Sequence, residues 1–189
     1  MWMSAWPDEP IRLTLPEYLR FQEISEARHE LVRGEVRLMS GDTERHDLAA
    51  QLVNAEFFAA YRRTGCRVFT HNRKLLIPAK ATVYYPDVFV TCARSAHRLY
   101  ETDANIVVEV VSPSNSPQEL TEKLFDYQTL ASIEVIVYLD PDKRVLTIHR
   151  RQESGWTERQ AATGSVTLGE AKLDIGSLFA EVDATAVAD

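Results

Sequence analysis

Residues 106–111 read Ile-Val-Val-Glu-Val-Val, and so dense a run of β-branched residues dictates a strand buried on both faces. Glu109 interrupts it. An ionised carboxylate inside an apolar strand is costly unless a cation or hydrogen bonds compensate it, so this residue marks a candidate site. Ser112-Pro113 ends the strand, because proline has no N–H to give to the ladder.

A doubly buried strand needs a layer on each side, and the flanking sequence supplies the elements. Residues 14–24 read as a helix capped by Thr14, with Pro16 in its first turn. Residues 29–32 and 35–39 read as a hairpin about Arg33-Gly34. Ser40-Gly41-Asp42 turns into a helix over residues 43–63, with Asp42 or Thr43 as cap and Gly65 as stop. Its expected apolar face is Leu48, Leu52, Ala55 and Ala59. Strands follow over 66–70 and 74–77, then over 86–90, where alternation puts Asp87 and Phe89 on one face and Val88 and Val90 on the other. After the central strand come a helix over 116–131, a strand over 134–139 and its hairpin partner over 144–150. Strands near 156–160 and 173–175 and a short helical turn from Ser177 to Phe179 complete the chain. This order predicts one mixed α/β domain spanning residues 1–189, with 1–13 and 183–189 peripheral.

Bulk properties exclude several classes. No apolar window of about 18 residues exists, so no membrane helix is expected, and the acidic N-terminus lacks the basic region of a secretory signal. Cys66 and Cys92 have no metal-type spacing and read as reduced, buried thiols of a cytoplasmic protein. Net charge is −7, yet residues 1–100 hold 14 basic and 12 acidic side chains, against 7 and 16 in residues 101–189. A basic surface could therefore come from the first half, through Arg62, Arg63, Arg67, Arg73, Lys74 and Lys80, unless these form an ordinary solvated face.

Helix geometry singles out one more residue. At about 100° per residue, Leu120, Leu124, Tyr127, Leu130 and Ala131 form an apolar arc, and Lys123 falls inside it at about −60° from Leu120. Glu119, Glu122 and Asp126 fall outside. A lysine aimed at the sheet wants a counter-charge, for which Asp87 and Glu109 are the candidates; a lysine snorkelling at the arc's edge is the alternative. Two carboxylates on neighbouring strands can hold a hard divalent cation such as Mg²⁺, and a lysine beside them can orient or deprotonate the attacking water and stabilise phosphoryl charge. The same three residues could equally form a buried ion-pair network with no reaction.

Pro86-Asp87 followed by Glu109-Val110-Val111 resembles the metal-binding core of the PD-(D/E)XK nuclease superfamily. Arg28 to Val36, Met39-Ser40-Gly41 with His46, Tyr84 to Thr91, Val107 to Ser114, and Glu122-Lys123-Leu124 with Tyr127 together resemble the Uma-two family of bacterial endonucleases, over about residues 14–180. The resemblance implies a restriction endonuclease-like fold, a mixed central β-sheet flanked by α-helices with an N-terminal helix and a β-hairpin. It implies Mg²⁺ (or Mn²⁺) held by Asp87, Glu109 and the backbone carbonyl of Val110, and a DNA substrate cut by a homodimer. The superfamily's lysine lies two residues after the glutamate, where this chain has Val111. The Uma-two pattern takes it from the next helix, as Lys123, with Glu35 and His46 at further recurring positions. One departure is that Glu119-Leu120-Thr121 stands where the family commonly has Asp-Arg-Gly, so an expected arginine is missing. The reading is thus a metal-dependent DNA endonuclease; the alternative is a degenerate nuclease fold serving as a binding or regulatory module.

Overall fold

The stretch Ile106–Val110 is a strand buried at all five positions, as its composition requires. The computed structural model describes residues 9–39, 41 and 43–185. Its elements, in chain order, are α1 (Leu15–Ile24), β1 (His29–Val32), β2 (Glu35–Leu38), α2 (Glu44–Tyr61), β3 (Arg67–Thr70), β4 (Lys74–Ile77), β5 (Thr82–Tyr84), β6 (Val88–Thr91), β7 (Tyr100–Glu101), β8 (Ile106–Val110), α3 (Pro117–Gln128), β9 (Val135–Asp140), β10 (Val145–Gln152), β11 (Gly155–Ala161), β12 (Ser165–Leu168), β13 (Ala171–Asp174) and α4 (Ile175–Thr185). The mixed α/β class is as expected. Of the two candidate caps before α2, Asp42 lies outside the described residues, and Thr43 accepts a hydrogen bond from the His46 N–H at 3.2 Å.

The expected central sheet has six strands in the order β11-β10-β9-β8-β6-β3. β8 and β9 are parallel, joined by α3 in a βαβ unit, whereas β6 runs antiparallel to β8. A second sheet, β2-β1-β5-β4-β7, stands beside it, and β12-β13 form a small ribbon. The β1–β2 hairpin turns at Arg33 and Gly34 with φ of 50° and 85°, the two positive values that a tight two-residue loop demands.

Four layers result. α2 and α4 cover one face of the large sheet, meeting Val88, Val90, Val108 and Val110. On the other face Phe89, Val107, Ile136 and Tyr138 pack with Tyr127 and Leu130 near α3 and with Val32, Leu75, Ile77 and Tyr84 of the smaller sheet. α1 then covers the far side of that smaller sheet through Tyr18, against Leu31, Val36, Leu76 and Val83. α3 bridges the two sheets, since its Lys123 meets Glu109 of the large sheet and Glu30 of the smaller one.

Three expectations are corrected. The buried face of α2 is Ala49, Ala50, Val53, Phe57 and Tyr61, while Ala55 and Ala59 are exposed. This helix carries apolar residues most of the way round, so its period alone does not fix its rotation; the volumes of Phe57 and Tyr61 do, by filling the space over the sheet. The last helix begins at Ile175, before Ser177, and continues to Thr185, because Leu178, Phe179 and Val182 share one buried face. Finally, Cys66 and Cys92 are not buried thiols: they form a disulfide across a sequence separation of 26 residues. The β3–β6 register pairs Arg67 with Thr91, so the next pair outward sets the cysteines face to face.

No helix among the described residues is long and apolar enough to cross a membrane.

Candidate functional site

Alternation along β8 turns Val108 and Val110 toward α2 and leaves Val107 and Glu109 facing α3 and the smaller sheet. Val88 pairs with Val108, so one step further along the same register brings Asp87 opposite Glu109. Cross-strand neighbours of this kind have Cβ atoms about 5 Å apart. Both carboxylates are nearly buried, 8 % and 6 % exposed, and both line a cavity of about 90 Å³ at the open end of the gap between the sheets.

Each carboxylate is held. Asp87 Oδ2 accepts the Val110 N–H at 2.7 Å and lies 3.4 Å from His46 Nε2, which the first turn of α2 brings to the cavity wall. Glu109 Oε2 meets Lys123 Nζ at 3.2 Å, and Glu109 Oε1 accepts a short hydrogen bond from the Tyr127 hydroxyl. Lys123 therefore points inward from α3, where the helical arc sets it. Of the residues singled out in the sequence, Asp87, Glu109, Val110, His46 and Lys123 come together here. Glu35 does not: it lies opposite Val32 on β2, outside the cavity lining, held by Arg37 Nε at 3.1 Å and approached by Arg12 at 3.9 Å.

Glu30 takes that place. Its Oε1 lies 3.0 Å from Lys123 Nζ, and it lines the same cavity. The signal for it was present in the sequence. Alternation in His-Glu-Leu-Val puts Glu30 on the face of Val32, which looks into the gap, and Leu31 on the face that meets α1.

Charge sets the protonation states. Burial raises the Glu109 pKa to about 7, opposed by Lys123 and reinforced by the negative charges of Asp87 and Glu30. For Lys123 burial is the largest single influence and favours the neutral amine, yet the summed attraction of Glu109, Glu30 and Asp87 outweighs it and holds the pKa well above the ordinary lysine value. The side chain is an ammonium at every relevant pH. Tyr127 is raised by burial and then by Glu109, so its hydroxyl keeps the proton that it donates.

The frame of the site is ionic. Arg33, at the tip of the β1–β2 hairpin, binds Glu122 and reaches Asp126 at 2.7 Å, and Arg37 reaches Glu122 at 2.7 Å. Tyr84 donates to the other oxygen of Asp126 at 2.8 Å. Asp126, expected outside the buried arc, is fully buried; these two partners compensate its desolvation. The hairpin thereby fixes the rotation of α3, and with it the direction of Lys123.

The donor chemistry bears on a metal. Among the described residues, no group of three or more His, Cys, Asp and Glu side chains is disposed to hold an ion by itself. The cavity instead presents oxygen ligands on adjacent strands and an excess of negative charge, with Glu30, Asp87, Glu109 and Glu119 against Lys123 and Arg37. That set fits a Mg²⁺ bound through one or two carboxylates and otherwise hydrated, and does not suit a nitrogen- or sulfur-seeking metal.

Comparisons with known proteins agree with this architecture. A crystal structure of a putative nuclease belonging to DUF820 from Anabaena variabilis superposes with a TM-score of 0.76 at 16% identity, covering 90% of this chain and 99% of that one. An uncharacterized protein of Synechocystis sp., slr1290, is 25% identical over 162 residues, which is 79% of this chain and 81% of the relative. A second from the same organism, sll1609, is 21% identical over 132 residues, 68% of this chain and 75% of the relative. The family model described as "Uma2: Putative restriction endonuclease" matches residues 15–177, and the chain belongs to that family.

Proposed function

We propose that this protein is a divalent-metal-dependent DNA endonuclease. The observation that carries the reading is the meeting of Asp87, Glu109 and an inward-pointing Lys123 in one acidic cavity. Asp87 and Glu109 would hold Mg²⁺, or Mn²⁺ in its stead, with the Val110 carbonyl as a third oxygen. The cation, when bound, supplies positive charge against the phosphodiester and acidity to the attacking water.

The remaining work belongs to the chain. His46 and the Val110 N–H fix the Asp87 carboxylate, limiting its freedom to rotate. Tyr127 does the same for Glu109. Lys123, held as an ammonium by Glu109 and Glu30, would donate hydrogen bonds and stabilise the negative charge that develops on the phosphoryl oxygens. A homodimer, with two sites related by a two-fold axis, would meet both strands of a duplex.

Purified protein incubated with plasmid DNA and Mg²⁺ or Mn²⁺ should convert it to nicked and linear forms. Chelator, Asp87→Ala and Lys123→Ala should each abolish the conversion, and cleavage that survives both substitutions removes these residues from the site.

A second reading, a nuclease fold serving as a binding module, is favoured by one observation. The Lys123 ammonium already bridges two carboxylates, Glu30 and Glu109, which a purely structural role would also require. Failure of every nucleic acid to be cut, together with no metal binding by calorimetry, selects it.

A further inference from the structure

The cations inside the cavity are engaged. Lys123 is shared by Glu30 and Glu109, and Arg37 by Glu35 and Glu122. The basic residues of the first half that the sequence offers as a surface are in part engaged as well. Arg67 and Arg73 converge on the buried carboxylate of Glu101, at 3.1 and 2.6 Å. Arg62 and Arg63 follow the far end of α2, about 24 Å along the helix from His46.

Two cations at the cavity mouth differ from all of these. Arg28 is exposed, and its backbone carbonyl accepts the N–H of Met39, a residue of the cavity wall. Its guanidinium donates to the carbonyl of His71 at 3.1 Å and to Asn72 Oδ1 at 3.3 Å, both in the turn between β3 and β4. Lys74, which begins β4, holds its ammonium 5.3 Å from the ring centre of Tyr85, another residue of the cavity wall. Among the described residues the groups that hold these two side chains are neutral: a carbonyl, an amide and an aromatic ring. Each is therefore positioned without being neutralised.

We propose that Arg28 and Lys74 form a binding rim for the phosphodiester backbone of DNA beside the cavity. The inference rests on the nuclease reading above and names how its substrate is held. A protein of net charge −7 with an acidic cavity repels a polyanion over most of its surface. Cations kept free of carboxylates at the mouth of that cavity offset the repulsion where the backbone enters. The donors of Arg28 left over from His71 and Asn72 suit a phosphate's paired oxygens, and Lys74 supplies a point charge next to it. Neither side chain reads a base edge, so the rim contributes affinity and not sequence preference.

The test is fluorescence anisotropy of the full chain with a labelled duplex in chelator, over a salt series, followed by cleavage kinetics in Mg²⁺. Arg28→Gln with Lys74→Gln should lower the slope of log affinity against log salt by about 2, equally for unrelated sequences. KM for cleavage should rise about tenfold or more with kcat nearly kept, since the lost contacts serve ground and transition states alike. Arg28→Lys should retain the slope while losing part of the affinity, and Arg62→Gln with Arg63→Gln should bind as wild type; thermal melts check that each variant is folded. Wild-type slope in the double variant overturns the rim while leaving the nuclease reading intact. Binding that depends on the rim with no cleavage in any metal supports the rim and overturns the nuclease reading. A wild-type protein that neither binds nor cuts DNA overturns both.

Discussion

Glu30 and Lys123 meet at 3.0 Å, one on a strand of the smaller sheet and the other on the helix that also reaches Glu109 of the larger. The contact makes the hairpin strand a wall of the cavity. Removing the charge but keeping the shape, Glu30→Gln, frees Lys123 to bind Glu109 alone and lowers the negative charge available to a cation. Cleavage should fall by about 10- to 100-fold, the usual effect of losing a partner one step behind the reacting groups. The Mg²⁺ concentration for half-maximal rate should rise with it. An unchanged metal titration would show that Glu30 is mere packing.

Arg33 closes the hairpin turn and reaches both Glu122 and the fully buried Asp126. Arg33→Ala leaves Asp126 with Tyr84 as its polar partner. Truncating one side of a buried pair costs about 3–5 kcal/mol; because Arg33 is itself half exposed, we expect about 2–3 kcal/mol, read as a lower urea midpoint with an unchanged m value. Asp126→Asn, which keeps a hydrogen-bond partner for Tyr84, should cost less. Equal losses for the two would mean that the ion pair is not what anchors α3.

Much of this was legible beforehand. The β-branched run around Glu109 could be nothing but a buried strand, and the helical arc aimed Lys123 at it. What escaped shares one physical cause, that partners distant in sequence decide burial. Asp126 looks like a surface residue until Arg33 and Tyr84 arrive from another sheet. Glu30 and Glu35 sit on paired strands and share the face of Val32, but only Glu30 lies at the cavity end of that face and reaches Lys123. The cysteines carried no pairing signal because their proximity comes from the β3–β6 register, set by the whole sheet.

That disulfide joins two residues separated by 26 in sequence and ties the edge strand β3 to β6, the strand that Asp87 immediately precedes at its other end. Loop-closure entropy alone predicts that it stabilises the fold by about 3.5 kcal/mol. Reduction, or Cys66→Ser with Cys92→Ser, should therefore lower Tm by about 10 °C for a chain of this size. In a glutathione-buffered compartment the bond would be open and this increment absent. A reduced protein melting at the oxidised temperature would show that sheet pairing alone holds this edge.

His149 offers a pH dependence independent of the cavity residues. It is nearly buried on β10, edge-on to Tyr138, with Glu158 Oε2 at 3.8 Å from its Nδ1 and Asp140 and Lys143 across the same surface groove. Burial lowers its pKa below the ordinary 6.5, and Glu158 only partly opposes this. A folded value below the unfolded one means that the unfolded chain binds the proton more tightly. The stability due to neutral His149 is then complete above pH 6.5 and is lost as the pH falls through the lower folded value. Urea midpoints for wild type should decline across that window, and His149→Gln, which cannot titrate, should decline less. A parallel decline in the two proteins would assign the acid sensitivity to other groups, such as the paired carboxylates that bind α3 to the hairpin.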